Sequence, residues 1–154
     1  MTKESTVAKH IQAALVDTFA LYVKTHSFHW NVEGPHFKSL HELFEEQYTD
    51  MWKALDELAE RQRALGVIAP AGAAGLLDKN NIGDESEVPE AYEMLDKLIE
   101  GNKTLVKTLK KGIEVAEDND DPATADMLTD RVTTHEQFIW MLSSSRKGMW
   151  PDNA

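Results

Sequence analysis

The chain contains no cysteine, which excludes disulfides, thiolate metal sites and a cysteine nucleophile. The same absence fits a reducing cytoplasm, which is the expected location. No stretch is apolar over the length that a membrane span needs. The N-terminus, Met1 to Lys9, is polar and lacks the apolar segment of a signal peptide. Basic residues are scarce: 16 Lys and Arg stand against 27 Asp and Glu, for a formal net charge of −11. Nucleic-acid binding draws on Lys and Arg at phosphates. An acidic body repels such a polymer and attracts cations, although charge of this sign also serves solubility alone.

What is present suits one helical domain. A length of 154 residues leaves no room for a second domain of ordinary size, so 1–154 is read as a single unit. Hydrophobic residues make up 42%, enough for a core. Four long helical segments can be read, with no strand signal and no internal repeat. The first runs from Ser5, a plausible N-cap, to Asn31, with Val7, Ile11, Leu15, Phe19 and Tyr22 at helical spacing. Gly34 and Pro35 break it, and Pro35 suits the first turn of the second helix. That helix runs to Leu65, with Gly66 as its stop.

Val67 to Val88 is a loop rich in Gly and Ala, with room for a short helix near Ala73 to Lys79. A connection this long is unusual in a compact bundle. It fits a crossover running the length of a ferritin-like bundle. The third helix starts at Pro89 and ends at the acidic stretch Glu117–Asp121. The fourth takes Asp121 as cap and Pro122 in its first turn, and runs to Lys147. The expected fold class is therefore all-α: a ferritin-like four-helix bundle with a long central crossover between the second and third helices.

The second helix carries the chemistry. His41 and Glu45 are four apart and share a face, as do Asp56 and Glu60. A step of eleven residues from Glu45 to Asp56 returns to within about 20° of the starting direction, so both pairs lie on one stripe. Along the axis they are about 16 Å apart, far beyond metal–ligand bonds of about 2 Å. One helix cannot close both pairs on a single metal centre. The two pairs are, however, equidistant from a point between Asp50 and Met51. A second copy laid antiparallel across that point sets His41 and Glu45 opposite Glu60 and Asp56 of the other chain. That is an isologous two-fold interface with two identical shared sites. Imidazole plus carboxylate, without thiolate, suits iron, zinc or manganese. The break at Gly34-Pro35 can fold His29 back beside His41 as a second imidazole. Lys53, Arg61 and Arg63 offer the carboxylates an ordinary alternative as ion-pair partners.

The run His29-Trp30-Asn31-x-x-Gly34-x-x-Phe37-x-x-x-His41-x-x-Phe44, followed by Asp56-x-x-Ala59-Glu60-Arg61, resembles the signature of the Dps family, DNA-binding proteins from starved cells. The resemblance extends over the chain, including His135-Glu136 and Trp140-Met141-Leu142 on the fourth helix. It implies a hollow homododecamer that oxidises iron(II), preferably with hydrogen peroxide rather than dioxygen, and stores a ferric mineral. It also implies two iron ions per inter-subunit site. His29, His41 and Glu45 would ligate from one subunit, and Asp56 and Glu60 from its two-fold partner. Many members carry Asp at the position of Glu45, so that ligand departs from the pattern by one methylene. Trp30 would intercept oxidising equivalents beside the site, or else pack at the dimer interface. His26 would touch the outer part of the site. His10, His36 and His135 are read as surface or packing residues.

Seven carboxylates fall between Glu114 and Asp130. Asp121 caps a helix. Asp126 and Asp130 stack one turn apart and, by the same resemblance, would line a three-fold entry pore, a role for which Asp121 is also a candidate. Their alternative is to favour the helix N-terminus through its dipole. Some relatives compact DNA through basic tails. Here Met1 to Ser5 holds only Lys3, and Met149 to Ala154 holds no basic residue, so direct DNA binding is expected to be weak or absent. A cage without catalysis is a third reading, against which the intact ligand set argues.

Overall fold

The computed structural model describes residues 1–151. The last part of the Met149–Ala154 end, read above as lacking basic residues, lies outside them. The described residues form five helices: α1 (Lys3–Asn31), α2 (Phe37–Ala64), α3 (Gly72–Leu77), α4 (Ala91–Asp118) and α5 (Pro122–Arg146). The four long ones are those expected from the spacing of apolar residues, and α3 is the short helix within the crossover.

Side-chain contacts fix the directions. His29 lies against His41, and the Gln62 amide donates to Gln12 at 2.8 Å, so α1 and α2 are antiparallel. Leu21 abuts Gly101 while Asp17 accepts from Thr108, so α1 and α4 are antiparallel too. Helices α2 and α4 therefore run parallel, and the segment between them must travel the length of the bundle. That is why this chain needs a crossover where the other connections are short turns.

Three helix starts differ from the sequence reading. The N-cap of α1 is Thr2 rather than Ser5: the Thr2 hydroxyl accepts the Ser5 N–H at 3.0 Å. Ser5 sits in the first turn and donates its own hydroxyl to the Thr2 carbonyl. Both residues can cap, and the earlier cap adds backbone bonds such as Thr6 N–H to Thr2. Helix α2 begins at Phe37, with Pro35 in the turn ahead of it. The Phe37 N–H bonds the Gly34 carbonyl at 3.1 Å, and Gly34 has φ +117°, where a side chain would be strained. Helix α4 begins at Ala91, two residues beyond Pro89, with Glu90 as its cap. The end of α2 and the start of α5 are as expected: Val67 N–H closes back on the Gln62 carbonyl around Gly66, and Asp121 caps α5 with Pro122 following.

One core runs through the bundle. Phe28, Phe44, Leu15, Met51, Leu98 and Leu105 are buried to within 1% of complete, each worth about 1.5–3 kcal/mol over its exposed state. A Cβ on Gly101 would lie 2.7 Å from Leu21 Cδ1, so its absence lets α1 and α4 close up. The core also contains a carboxylate. Asp17, fully buried on α1, accepts the Asn81 N–H at 2.7 Å, the Asn81 amide at 3.2 Å and the Thr108 hydroxyl at 2.6 Å. It ties the crossover and α4 to α1.

His135 is a packing residue with an added role. It is completely buried on α5, with Nδ1 2.8 Å from Asn102 Oδ1 and Nε2 2.8 Å from an Arg131 guanidinium nitrogen. Arg131 in turn donates to Asp50 at 2.7 Å. Burial, reinforced by Arg131, pushes the His135 pKa well below its ordinary value.

Candidate metal centre

The turn at Gly34-Pro35 returns the chain so that the last turn of α1 meets the first turn of α2. His29 and His41 stack there, ring centroids 3.8 Å apart and planes 16° from parallel. Each imidazole bonds the other residue's backbone. His29 Nδ1 is 2.7 Å from the His41 carbonyl, and His41 Nδ1 is 2.8 Å from the His29 carbonyl. A carbonyl oxygen only accepts, so both Nδ1 atoms must carry hydrogen. In the neutral rings the lone pair is then on Nε2 in both cases. This is the arrangement by which outer hydrogen bonds orient imidazoles for a metal.

Glu45 lies one turn beyond His41 and is exposed. It faces Tyr48, whose phenol is pushed up in pKa by burial first and then by the Glu45 carboxylate. Asp56 and Glu60 are exposed at the far end of the same helix. Among the described residues no ion pair engages Glu45, Asp56 or Glu60. Arg61, offered above as a partner, instead donates to Asp121 at 2.9 Å and to Thr124 at 2.9 Å. Nor, among the described residues of one chain, does any group of three or more His, Asp or Glu stand close enough to hold a metal ion. The structure brings His29 and His41 together and leaves Asp56 and Glu60 apart from them.

Around the histidine pair lies an aromatic cluster that the sequence reading had only touched through His26 and Trp30. His26 stacks on Tyr48 at 3.8 Å and 12°, contacts Trp30 at 4.2 Å and meets His29 edge-on at 5.9 Å. Burial first, and then His29, lowers the His26 pKa, with Glu45 opposing. Trp30 itself is 65% exposed. The usable signal for Tyr22 and Tyr48 was spacing: Tyr22 is one turn before His26, and Tyr48 is one turn after the Phe44 level of α2.

The acidic residues of α5 divide. Asp121 Oδ1 accepts from Thr124 N–H and Arg61, and Oδ2 from the Thr124 hydroxyl at 2.6 Å. Burial opposes its ionisation, yet the bonds from Thr124 and the pairing with Arg61 together hold its pKa below the usual value. Both oxygens of Asp121 are thus engaged in capping α5 and tying it to α2. Asp126 and Asp130 are exposed, one turn apart, with no ion pair among the described residues.

A bundle with this topology, carrying imidazoles and carboxylates on its helices, defines a ferritin-like domain, and the family so described matches residues 8–147. Within that class the chain belongs to the Dps family. It is 39% identical over 138 residues to the DNA protection during starvation protein of Brevibacillus brevis, covering 90% of this chain and 93% of that one. The crystal structure of a Dps protein from Bacillus brevis superimposes with a TM-score of 0.91 at 37% identity, over 96% of this chain and 99% of the other. The Dps protein of Vibrio cholerae O1, described as a member of a broad superfamily of ferritin-like diiron-carboxylate proteins, aligns with a TM-score of 0.90 at 28% identity, over 94% and 91%. No described helix is long and apolar enough to cross a membrane.

Proposed function

We propose that this chain is an iron(II)-oxidising and iron-storing protein whose reactive sites each take residues from two subunits. The observation that carries the reading is the reciprocal bonding of His29 and His41, which presents two Nε2 lone pairs side by side. Two imidazoles are too few for a metal site, and Glu45, one turn beyond His41 and exposed, would turn its carboxylate toward them in the assembled protein as a third group from the same chain. Asp56 and Glu60 of a second, antiparallel copy complete it with two carboxylates. An imidazole–carboxylate set suits iron(II) as substrate. Two iron(II) ions supply the two electrons that reduce one hydrogen peroxide to two water molecules, with uptake of two protons. Consuming both reagents together denies them to hydroxyl-radical chemistry.

The surface supports a second copy. A groove of about 610 Å³ runs beside α2, lined by Leu15, Phe19, Trp52, Leu55, Ala59 and Leu76, with Asp56 among its residues. Trp52 is 61% exposed in the single chain, a large apolar area for water to meet unless a partner covers it. Twelve such subunits form the cage, and Asp126 and Asp130 line its three-fold entry. The net charge of −11 makes DNA a poor partner.

Subunit mixing tests the shared site. His41→Ala and Asp56→Ala assemblies are each expected to oxidise iron(II) with peroxide at least about 100-fold more slowly, since even indirect supports of metal ligands cost 10–100-fold. After verified subunit exchange, a mixed pair gathers both substitutions in one site and leaves its twin intact, so activity returns. Exchange that restores nothing rules out sharing.

A further inference from the structure

A cavity of about 310 Å³ opens between α1, the crossover and α4, and shares no residue with the histidine pair or the aromatic cluster around it. Lys24, Ile82, Asp96, Lys97, Glu100 and Thr104 line it. Its other charged side chains are matched in pairs. Lys97 pairs with Glu85 at 2.5 Å, Asp96 accepts from Arg146 Nε at 3.0 Å, and Glu100 pairs with Lys103 at 3.6 Å. Lys24 is half-buried, and among the described residues no ion pair engages it. Its Nζ donates instead to the Ile82 carbonyl at 3.3 Å. A neutral carbonyl compensates a partly buried charge poorly. Burial lowers the Lys24 pKa from its ordinary value; Glu85 opposes, Lys97 lowers it further, and Asp84 opposes again. An amine desolvated beside a second cation is the arrangement that makes a lysine nucleophilic at neutral pH.

We propose that Lys24 is an acylation site that takes its acyl group from an acyl phosphate entering this cavity. The phosphate of the donor meets Lys97, whose ammonium has three donors and spends one on Glu85, and the Thr104 hydroxyl. Lys24, as the neutral amine, adds its lone pair to the acyl carbon. The bond from that carbon to the phosphate oxygen then breaks, and its electron pair leaves with the phosphate. The same phosphate takes the proton from the nitrogen. The net change is Lys24 amine plus acyl phosphate to Lys24 amide plus inorganic phosphate, with no oxidant and no metal. The product is neutral, so acylation removes the one unmatched ammonium beside the crossover.

Packing accounts for the bond to Ile82, which any donor could make. The acylation site explains in addition why this ammonium is half-buried without a carboxylate while three neighbouring ion pairs are complete, and why a second ammonium and a hydroxyl share its cavity.

The assembled, iron-free protein with acetyl phosphate at neutral pH tests it, with mass spectrometry following every lysine over time. Lys24 is expected to be acetylated at least about tenfold faster than Lys107 and Lys110, equivalent to about 1.4 kcal/mol in the barrier. Those two are exposed on α4 and, among the described residues, engaged by no ion pair. Lys97→Met, with assembly checked by light scattering, is expected to slow the reaction of Lys24 with acetyl phosphate more than its reaction with N-hydroxysuccinimidyl acetate, which carries no phosphate. Lys97→Arg restores the faster rate with acetyl phosphate. Should Lys97→Met disturb assembly, Thr104→Val reads the same contrast. Acetylation of Lys24 no faster than of Lys107 overturns the nucleophile. Slowing that does not distinguish the two reagents overturns the acyl phosphate as donor. Because no iron is present, neither result depends on the iron-oxidising reading.

Discussion

His29 and His135 are both buried, at 6% and 0% exposure, yet their chemistry is opposite. His29 and His41 each spend one nitrogen on a backbone carbonyl and keep the other. His135 spends both: it donates to Asn102 and accepts from Arg131. Arg131 only donates, so it uses the one lone pair the neutral ring has. Burial does not separate a candidate ligand from a core histidine here. The bonding of the second nitrogen does.

Removing each imidazole is the most direct way to break the comparison. His41→Ala is expected to slow peroxide-driven iron oxidation at least about 100-fold, while costing only about 1 kcal/mol of stability for one lost hydrogen bond. Stopped-flow oxidation with denaturant unfolding on the same sample reads both. A normal rate would show that the free Nε2 is unused. His135→Ala is expected to do the reverse. It opens a cavity and strands Asn102 and Arg131, so stability falls by roughly 3 kcal/mol, while iron oxidation per folded protein is kept. A loss of rate at full stability would place His135 in the chemistry instead.

The same contrast separates the carboxylates of α5. Asp121 has both oxygens bonded, whereas Asp126 and Asp130 face solvent. Asp126→Asn/Asp130→Asn is expected to slow uptake at low iron(II) by roughly tenfold through loss of the attracting field. The defect should vanish as iron(II) is raised. An unchanged rate at low iron(II) would assign these two residues to the helix dipole alone.

A titration sharpens the core side of the comparison. Unfolded His135 takes up a proton near its ordinary pKa of 6.5, whereas the buried ring has a much lower pKa. The unfolded state therefore binds more protons below that pH. The stability from His135 is fully present above pH 6.5 and is lost as pH falls toward the folded value, with a slope approaching about 1.4 kcal/mol per pH unit. Unfolding midpoints from pH 7 downward should show this slope, and His135→Gln should flatten it.

The bundle was legible because four apolar stripes of helical period and one overlong connection leave few other arrangements. Asp121 was legible as a cap because its partner, Thr124, lies three residues away. The His29–His41 meeting was foreseeable from the Gly34-Pro35 break, but the mutual Nδ1 bonds were not, since they depend on how closely two helix ends approach. The α1 cap is not legible in the sequence, because a hydroxyl at either position can serve and spacing does not choose between Thr2 and Ser5. His135 looked like an ordinary packing residue because Asn102 and Asp50, which make its site polar, lie on other helices. The aromatic cluster was missed for the same reason: Tyr22 and Tyr48 become neighbours only when α1 and α2 pack.

Asp17 has a consequence for the route by which the chain folds. Its partners lie 64 and 91 residues along the sequence, so neither is near while only the α1–α2 hairpin exists. Until the crossover and α4 have both docked, burying this carboxylate is opposed by its own hydration. Contacts between such distant positions also carry the larger loop-closure entropy. Asp17 thus favours an order of events, hairpin first and crossover last. It also penalises any compact intermediate in which α1 finds an apolar partner other than α4.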